Sequence, residues 1–139
     1  RIKEEIDRAR RISWENFGKK IRFYVPSFLY YRNRRFQVPH KIFPSISVTG
    51  SRCALNCKHC SRELLKTMIP AQTPEELFRV CERIKQRGGS GCLISGGCLP
   101  NGSVPIEKFI DTIAKIKREL GLTIVTHTGL INPETAKKV

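Results

Sequence analysis

The chain has 139 residues, 40% apolar and 27% charged, which are the proportions of a globular protein and not of a disordered one. Its 26 Lys/Arg and 12 Asp/Glu give a net charge of +14, an excess that favours anionic partners such as nucleic acid, an acidic protein or an anionic cofactor. No run approaches the ~18 apolar residues of a membrane span, and no signal-peptide pattern follows Arg1, so a cytoplasmic protein is expected, with both ends cut inside helical patterns.

Ile2, Ile6, Ala9 and Ile12 recur at helical spacing, which predicts an amphipathic helix over residues 1–15 ended by Trp14-Glu15-Asn16-Phe17-Gly18. The next stretch interleaves bases with Phe23, Tyr24, Phe28, Tyr30, Tyr31 and Phe36. Such a mixture can stack on single-stranded nucleic acid. It also serves to pack an extension against a core. No RNP-type or helix-turn-helix signature accompanies it, so packing is the favoured reading. The charge is uneven: residues 1–41 hold twelve basic and four acidic residues, or +8. The plain account is a solvated basic face.

From Phe43 the pattern becomes regular. Phe43-Pro-Ser-Ile-Ser-Val-Thr-Gly50 is strand-like and ends at a glycine. Thr73-Pro74-Glu75-Glu76 is a helix start, with Thr as N-cap, Pro at the first position and Glu completing a capping box. Leu77, Val80, Cys81 and Ile84 form its apolar stripe, and Gly88-Gly89 closes it. Gly91–Ser95 is a short buried strand running into Gly96-Gly97. Pro105 opens a second helix with Ile106, Phe109, Ile110, Ile113, Ile116 and Leu120 on one stripe, and Gly121 stops it. Leu122–Thr126 is a third strand, and Asn132-Pro133-Glu134 caps a third helix. Strand–helix alternation of this kind predicts a parallel α/β sheet. Three units fill residues 43–139, roughly the repeat length of a TIM-type barrel. Three units cannot close a barrel, so part of a larger one is expected.

Six cysteines stand at 53, 57, 60, 81, 92 and 98. Three are packed into the run Cys53-Ala-Leu-Asn-Cys57-Lys-His-Cys60 directly after the first strand. In parallel α/β folds that edge carries active sites. Three thiolates so close can hold one metal centre in a reducing compartment. Structural zinc and ferredoxin clusters want four ligands. A count of three leaves one iron of a cluster open to bind something else. Cys81 lies on a helix's apolar stripe and Cys92 at the start of a buried strand, so both are expected in the core. Cys98 has no evident packing role.

These residues resemble the C-x3-C-x-Φ-C motif of the radical S-adenosylmethionine (SAM) enzymes. Ser95-Gly96-Gly97-Cys98, ending the second strand, is similar to the family's GGE motif, with Cys98 in place of Glu. The resemblance implies an N-terminal half of a partial (β/α)6 TIM-type barrel, preceded by a helix and a basic, aromatic extension (residues 1–42). It implies a [4Fe–4S] cluster on Cys53, Cys57 and Cys60 whose open iron chelates SAM. Reductive cleavage of SAM would then give a 5′-deoxyadenosyl radical for hydrogen abstraction. It further implies His59 against adenine and the Ser95, Gly96 and Gly97 backbone at the methionine amino group, where glycines permit close approach. His127 falls on the same edge and is a candidate for the ribose or substrate, with helix capping as the plain reading. Cys98 is a candidate auxiliary-cluster ligand, substrate contact or SAM contact.

Asn16-Phe17-Gly18, Phe23-Tyr24-x-Pro26-Ser27-Phe28, Pro44–Gly50 and Ser95–Cys98 together resemble a branch near the biotin and lipoyl synthases, similar to one half of the archaeal-type two-protein lipoyl synthases. That implies sulfur insertion into a protein-bound octanoyl chain, with an auxiliary iron–sulfur cluster, a ferredoxin or flavodoxin reductant, a second radical SAM subunit and an acidic carrier protein. A fragment of this length is expected to be inactive alone. Two other classes stay open: a zinc- or nucleic-acid-binding module, and an iron–sulfur electron carrier with a distant fourth ligand such as Cys98.

Overall fold

The computed structural model describes residues 2–21, 34 and 42–139. The aromatic segment with Phe23, Tyr24, Pro26, Ser27, Phe28, Tyr30, Tyr31 and Phe36 lies outside the described residues.

The first helix, α1, runs Ile2–Phe17, two residues beyond the expected end. Its first turn holds Glu4 and Glu5, which suit the positive end of the helix. Gly18 ends it at φ +69°, where a side chain would be strained. None of its residues is buried, and Ile2, Ile6, Ile12, Trp14 and Phe17 stay exposed.

The rest is built on a parallel sheet. In chain order come β1 (Ser45–Ser47), α2 (Glu63–Lys66), β2 (Ile69–Pro70), α3 (Pro74–Gln86) and β3 (Gly91–Ser95). There follow a 3-10 turn (Glu107–Phe109), α4 (Ile110–Leu120), β4 (Thr123–Thr126) and α5 (Pro133–Lys138). The strand order is β2-β1-β3-β4 and every pair is parallel. Ile46 lies opposite Ile94, and Ile94 opposite Thr126.

Side chains alternate across a strand. Ile46, Cys92 and Ile94 therefore share one face, and they are buried with Leu77, Val80, Cys81 and Ile84 of α3 and Ile116 of α4. Each such aliphatic side chain contributes about 1.5–3 kcal/mol by leaving water. Phe109 and Ile106 close the core beside α4. Cys81 and Cys92 sit in this layer as expected, with their sulfurs 3.9 Å apart. Their mutual hydrogen bond, then burial, pushes the Cys92 thiol far above its ordinary range. The opposite face carries Ser45, Ser47, Leu93 and Ser95.

The expected helix start is present in full. Thr73 Oγ1 accepts from the Glu76 amide at 3.2 Å, and the Glu76 carboxylate accepts from the Gln72 and Thr73 amides at 2.7 and 3.3 Å. Asn132 caps α5 through the Thr135 amide at 2.7 Å. Gly121 stops α4 at φ +63°.

Three expectations need correction. The stretch 43–50 is a strand only over Ser45–Ser47, because the chain already turns at Thr49 and Gly50, the latter at φ +61°. The helix opened by Pro105 begins as a 3-10 turn. The cysteine loop is followed by an extra short helix and a fourth strand, β2, so the first unit is longer than a simple βα repeat. Among the described residues no helix is long and apolar enough to cross a membrane.

Candidate cofactor site

Three strand ends build the site. β1 exits through the turn at Gly50 into the cysteine loop. There Cys57–Cys60 form a helical turn: the Cys60 and Ser61 amides donate to Cys57 O at 3.2 and 2.8 Å. The turn ends at Ser61 and Arg62, both left-handed at φ 44° and 65°. Positive φ is costly for residues with a Cβ, and its presence here fixes the direction in which the loop leaves Cys60.

β3 exits through Ser95-Gly96-Gly97-Cys98, which lies directly against the start of that loop. The Ala54 amide donates to Cys98 O at 2.8 Å, and the Gly97 amide donates to Thr49 Oγ1 at 2.7 Å. The Cys98 amide points at Cys53 Sγ, 3.3 Å away. β4 exits at His127, whose amide donates to Ile94 O at 3.0 Å and whose carbonyl accepts from Ser95 Oγ at 3.1 Å.

Between these ends lies one cavity of about 350 Å³. Cys53, Cys57, His59 and Cys60 line it from the first loop, Ser95, Gly96, Gly97 and Cys98 from the second, and His127 from the third. All nine residues singled out from the sequence thus meet on one wall system. The same cavity has residues that the sequence did not flag. Leu55, Leu64, Leu65, Met68 and Leu93 give it an aliphatic side, Arg62 a charge, and Ser45 a hydroxyl. Ser45 Oγ is buried with no hydrogen-bond partner among the described residues. Neither Ser45 nor α2 with its leucines carried a signal in the sequence.

Two readings of individual residues change. Cys98 was expected to lack a packing role, yet it is half-buried against the core. Burial, and then the charges of Cys53, Cys57 and Cys60, raise its thiol pKa, which places four sulfurs in one electrostatic neighbourhood. Gly97 was expected to be glycine so that the backbone can approach a ligand, and the protein's own packing adds a second reason. A Cβ there would lie 2.0 Å from Arg52 O and 2.6 Å from Cys53 Cβ. The protein's own cysteine loop already fills that space.

The donor set fits an iron–sulfur cluster. A single metal ion gathers its sulfur ligands at about 2.3 Å from one point. Among the described residues no three His, Cys, Asp or Glu side chains converge in that way. Cys53, Cys57 and Cys60 line one cavity, as the ligands of a cluster would, and an amide already points at one of the sulfurs.

A parallel α/β sheet with three thiols on the loop leaving its first strand, at the edge where such folds carry their sites, is a cofactor-binding arrangement consistent with part of a TIM-type barrel. The comparisons name the kind. A profile of the Radical SAM superfamily matches residues 47–139, and the chain belongs to that superfamily, whose members work with a [4Fe–4S] cluster and SAM. Within it the chain is similar to biotin synthases. The biotin synthase of Geotalea daltonii is 30% identical over 96 residues, which cover 66% of this chain and 29% of the relative. That of Citrifermentans bemidjiense is 29% identical over 99 residues, 68% of this chain and 30% of the relative. The biotin synthase of Leptospira biflexa is 24% identical over 96 residues, 66% and 27% of the two chains. The chain therefore spans less than a third of the length of these curated relatives. No solved structure gives a significant match.

Proposed function

We propose that the protein carrying this chain inserts sulfur at unactivated C–H positions of an aliphatic acyl chain, an octanoyl group held on a carrier protein, by radical SAM chemistry. In this reading residues 43–139 are the first three βα units of its core and residues 1–42 an N-terminal extension. The observation that carries it is the mixed lining of one cavity: thiols and a glycine turn together with Leu55, Leu64, Leu65 and Leu93.

When bound, the [4Fe–4S] cluster and SAM supply a 5′-deoxyadenosyl radical that takes hydrogen from an unreactive carbon. The chain's own residues position these groups. Cys53, Cys57 and Cys60 hold the cluster by three thiolates. His59 lies beside the last of them, against adenine. The methionine ammonium needs acceptors, and the Gly97 amide is already committed to Thr49. The Gly96–Gly97 turn therefore offers it carbonyl oxygens. His127 faces the ribose or the substrate from the third strand end. The leucines exclude water and take the acyl chain, whose burial contributes about 0.8 kcal/mol per methylene. Cys98, beside the cluster thiols, is placed to serve an auxiliary sulfur-donating cluster, with its other ligands from elsewhere in the protein. A one-electron reductant of the ferredoxin or flavodoxin type, a second radical SAM subunit and an acidic carrier complete the assembly; the net charge of +14 suits the last.

The full-length protein, reconstituted anaerobically with iron and sulfide, provides the test. Its reduced cluster should give an electron paramagnetic resonance signal that changes shape with SAM. Incubation with an octanoylated carrier domain should release 5′-deoxyadenosine and add sulfur to the octanoyl group. A signal indifferent to SAM would mean an electron carrier, and tightly held zinc without a cluster a zinc module. Turnover only with the small-molecule substrate of a biotin synthase would transfer the reaction of the named relatives to this protein.

A further inference from the structure

Cys53 differs from the other two thiols of the loop. Cys57 and Cys60 share a hydrogen-bonded turn of their own. Cys53 lies before that turn and is held from across the sheet. The Gly97 and Cys98 backbone covers it, with the Cys98 amide 3.3 Å from its Sγ. The position of that amide depends on the residue before it. Gly97 is fixed by its amide's 2.7 Å hydrogen bond to Thr49 Oγ1 and by the absence of a Cβ that would strike Arg52 O and Cys53. Thr49 is itself held in the turn after β1, where the Arg52 amide donates to its carbonyl at 3.2 Å and its Oγ1 lies 3.4 Å from Ser47 Oγ. Thr49 does not line the cavity.

We infer that Thr49 and Gly97 are positioning residues that aim the Cys98 amide at the Cys53 sulfur and thereby set the reduction potential of the cluster. This rests on the assignment of Cys53 as a cluster ligand. Reduction adds negative charge to cluster and thiolates, so an N–H donor to a ligand sulfur stabilises the reduced form and raises the potential. Losing the threonine hydroxyl leaves the Gly97 amide unpaired and lets the turn relax away from Cys53. The fault is transmitted through two residues and needs no change in SAM contacts.

The experiment is a redox titration of the reconstituted full-length protein, followed by electron paramagnetic resonance, on wild type, Thr49→Val and Thr49→Ser. Thr49→Val keeps the shape and removes the acceptor; Thr49→Ser keeps the acceptor. The expected result is a lower potential in Thr49→Val by about tenfold in the reduced-to-oxidised ratio, or about 59 mV for one electron, with the wild-type value recovered in Thr49→Ser. Unchanged potential in Thr49→Val at full iron content would overturn the inference. A second reading needs no variant: in the wild-type reduced cluster, hyperfine spectroscopy in H₂O and D₂O should show a proton coupling of a protected amide, and its absence would overturn the inference too. If Cys53→Ala retains a SAM-responsive cluster, the ligand assignment itself fails, which is a separate outcome from a Thr49 variant with no effect.

Discussion

The cysteines fall into two groups, one inside the helical layer and one at the strand ends. Cys81 and Cys92 come from α3 and β3, are fully buried and touch sulfur to sulfur. Cys53, Cys57, Cys60 and Cys98 come from loops, are half-buried and line a cavity. The side chain is the same in both groups. In the first it serves as a small apolar filler packed among aliphatic side chains. In the second, partial exposure and open space leave the sulfur accessible to a ligand or a metal centre. Location, more than residue type, decides whether a cysteine carries chemistry here.

Substitutions separate the groups most sharply. Cys53→Ala, Cys57→Ala and Cys60→Ala should each reduce SAM cleavage to background, with iron content falling in parallel. Cys98→Ala should keep the iron of this cluster; loss of all iron there would make Cys98 its fourth ligand and remove the open position. Gly97→Ala comes next. Forcing a methyl to within 2.0 Å of the Arg52 carbonyl displaces one loop or the other, at about 1–3 kcal/mol of stability. The loss should appear as a lower urea midpoint together with poor cluster loading. Cys81→Ser and Cys92→Ser should lower stability by about 1–3 kcal/mol, because a hydroxyl replaces a thiol in the core. Iron content should be untouched; a core variant that loses the cluster would dissolve the distinction between the groups. In the apoprotein, thiol reagents should label the four loop cysteines at once and the core pair only as the fold opens.

The smallest effect concerns the helix that carries Cys81. Its own amide, then the Thr73 hydroxyl, hold the Glu75 carboxyl below its ordinary pKa of 4.5, assisted by Arg79. A depressed carboxyl stabilises the fold above the unfolded-state pKa, and that contribution disappears as pH falls through the folded value. Glu75→Gln should therefore differ slightly from wild type near neutrality and match it in acid, once the pH lies below the folded value. A difference that persisted in acid would assign the effect to packing and not to charge.

Much of this was legible before any coordinates, and unevenly so. α3 was readable because its start is written in four adjacent residues, Thr73 to Glu76, and its stripe in a local period. β3 matched Gly91–Ser95 because glycine bounds it on both sides. The cysteine loop was readable from spacing alone. β2 was not, since Ile69-Pro70 is too short for any period and owes its state to pairing with Ile46 and Ser47. The packing around Gly97 escaped for a related reason. Its decisive neighbours, Arg52 and Cys53, are more than forty positions away in sequence, and no local pattern encodes them. The aliphatic side of the cavity escaped because Leu64 and Leu65 sit on a helix of a single turn.

The contact between Cys98 and Cys53 also orders events during biosynthesis. The two residues are 45 positions apart, and α3 and β3 must both be in place before they meet. The ribosome releases the three clustered thiols well before the turn that covers one of them exists. A maturation factor reaching the nascent chain early meets thiols on a loop still lacking its partner strand; a later one meets a finished receptacle. Loop closure of this length is an entropic expense met only when β1 and β3 pair. Pairing of those strands is therefore the step that brings the Cys98 amide to the Cys53 sulfur.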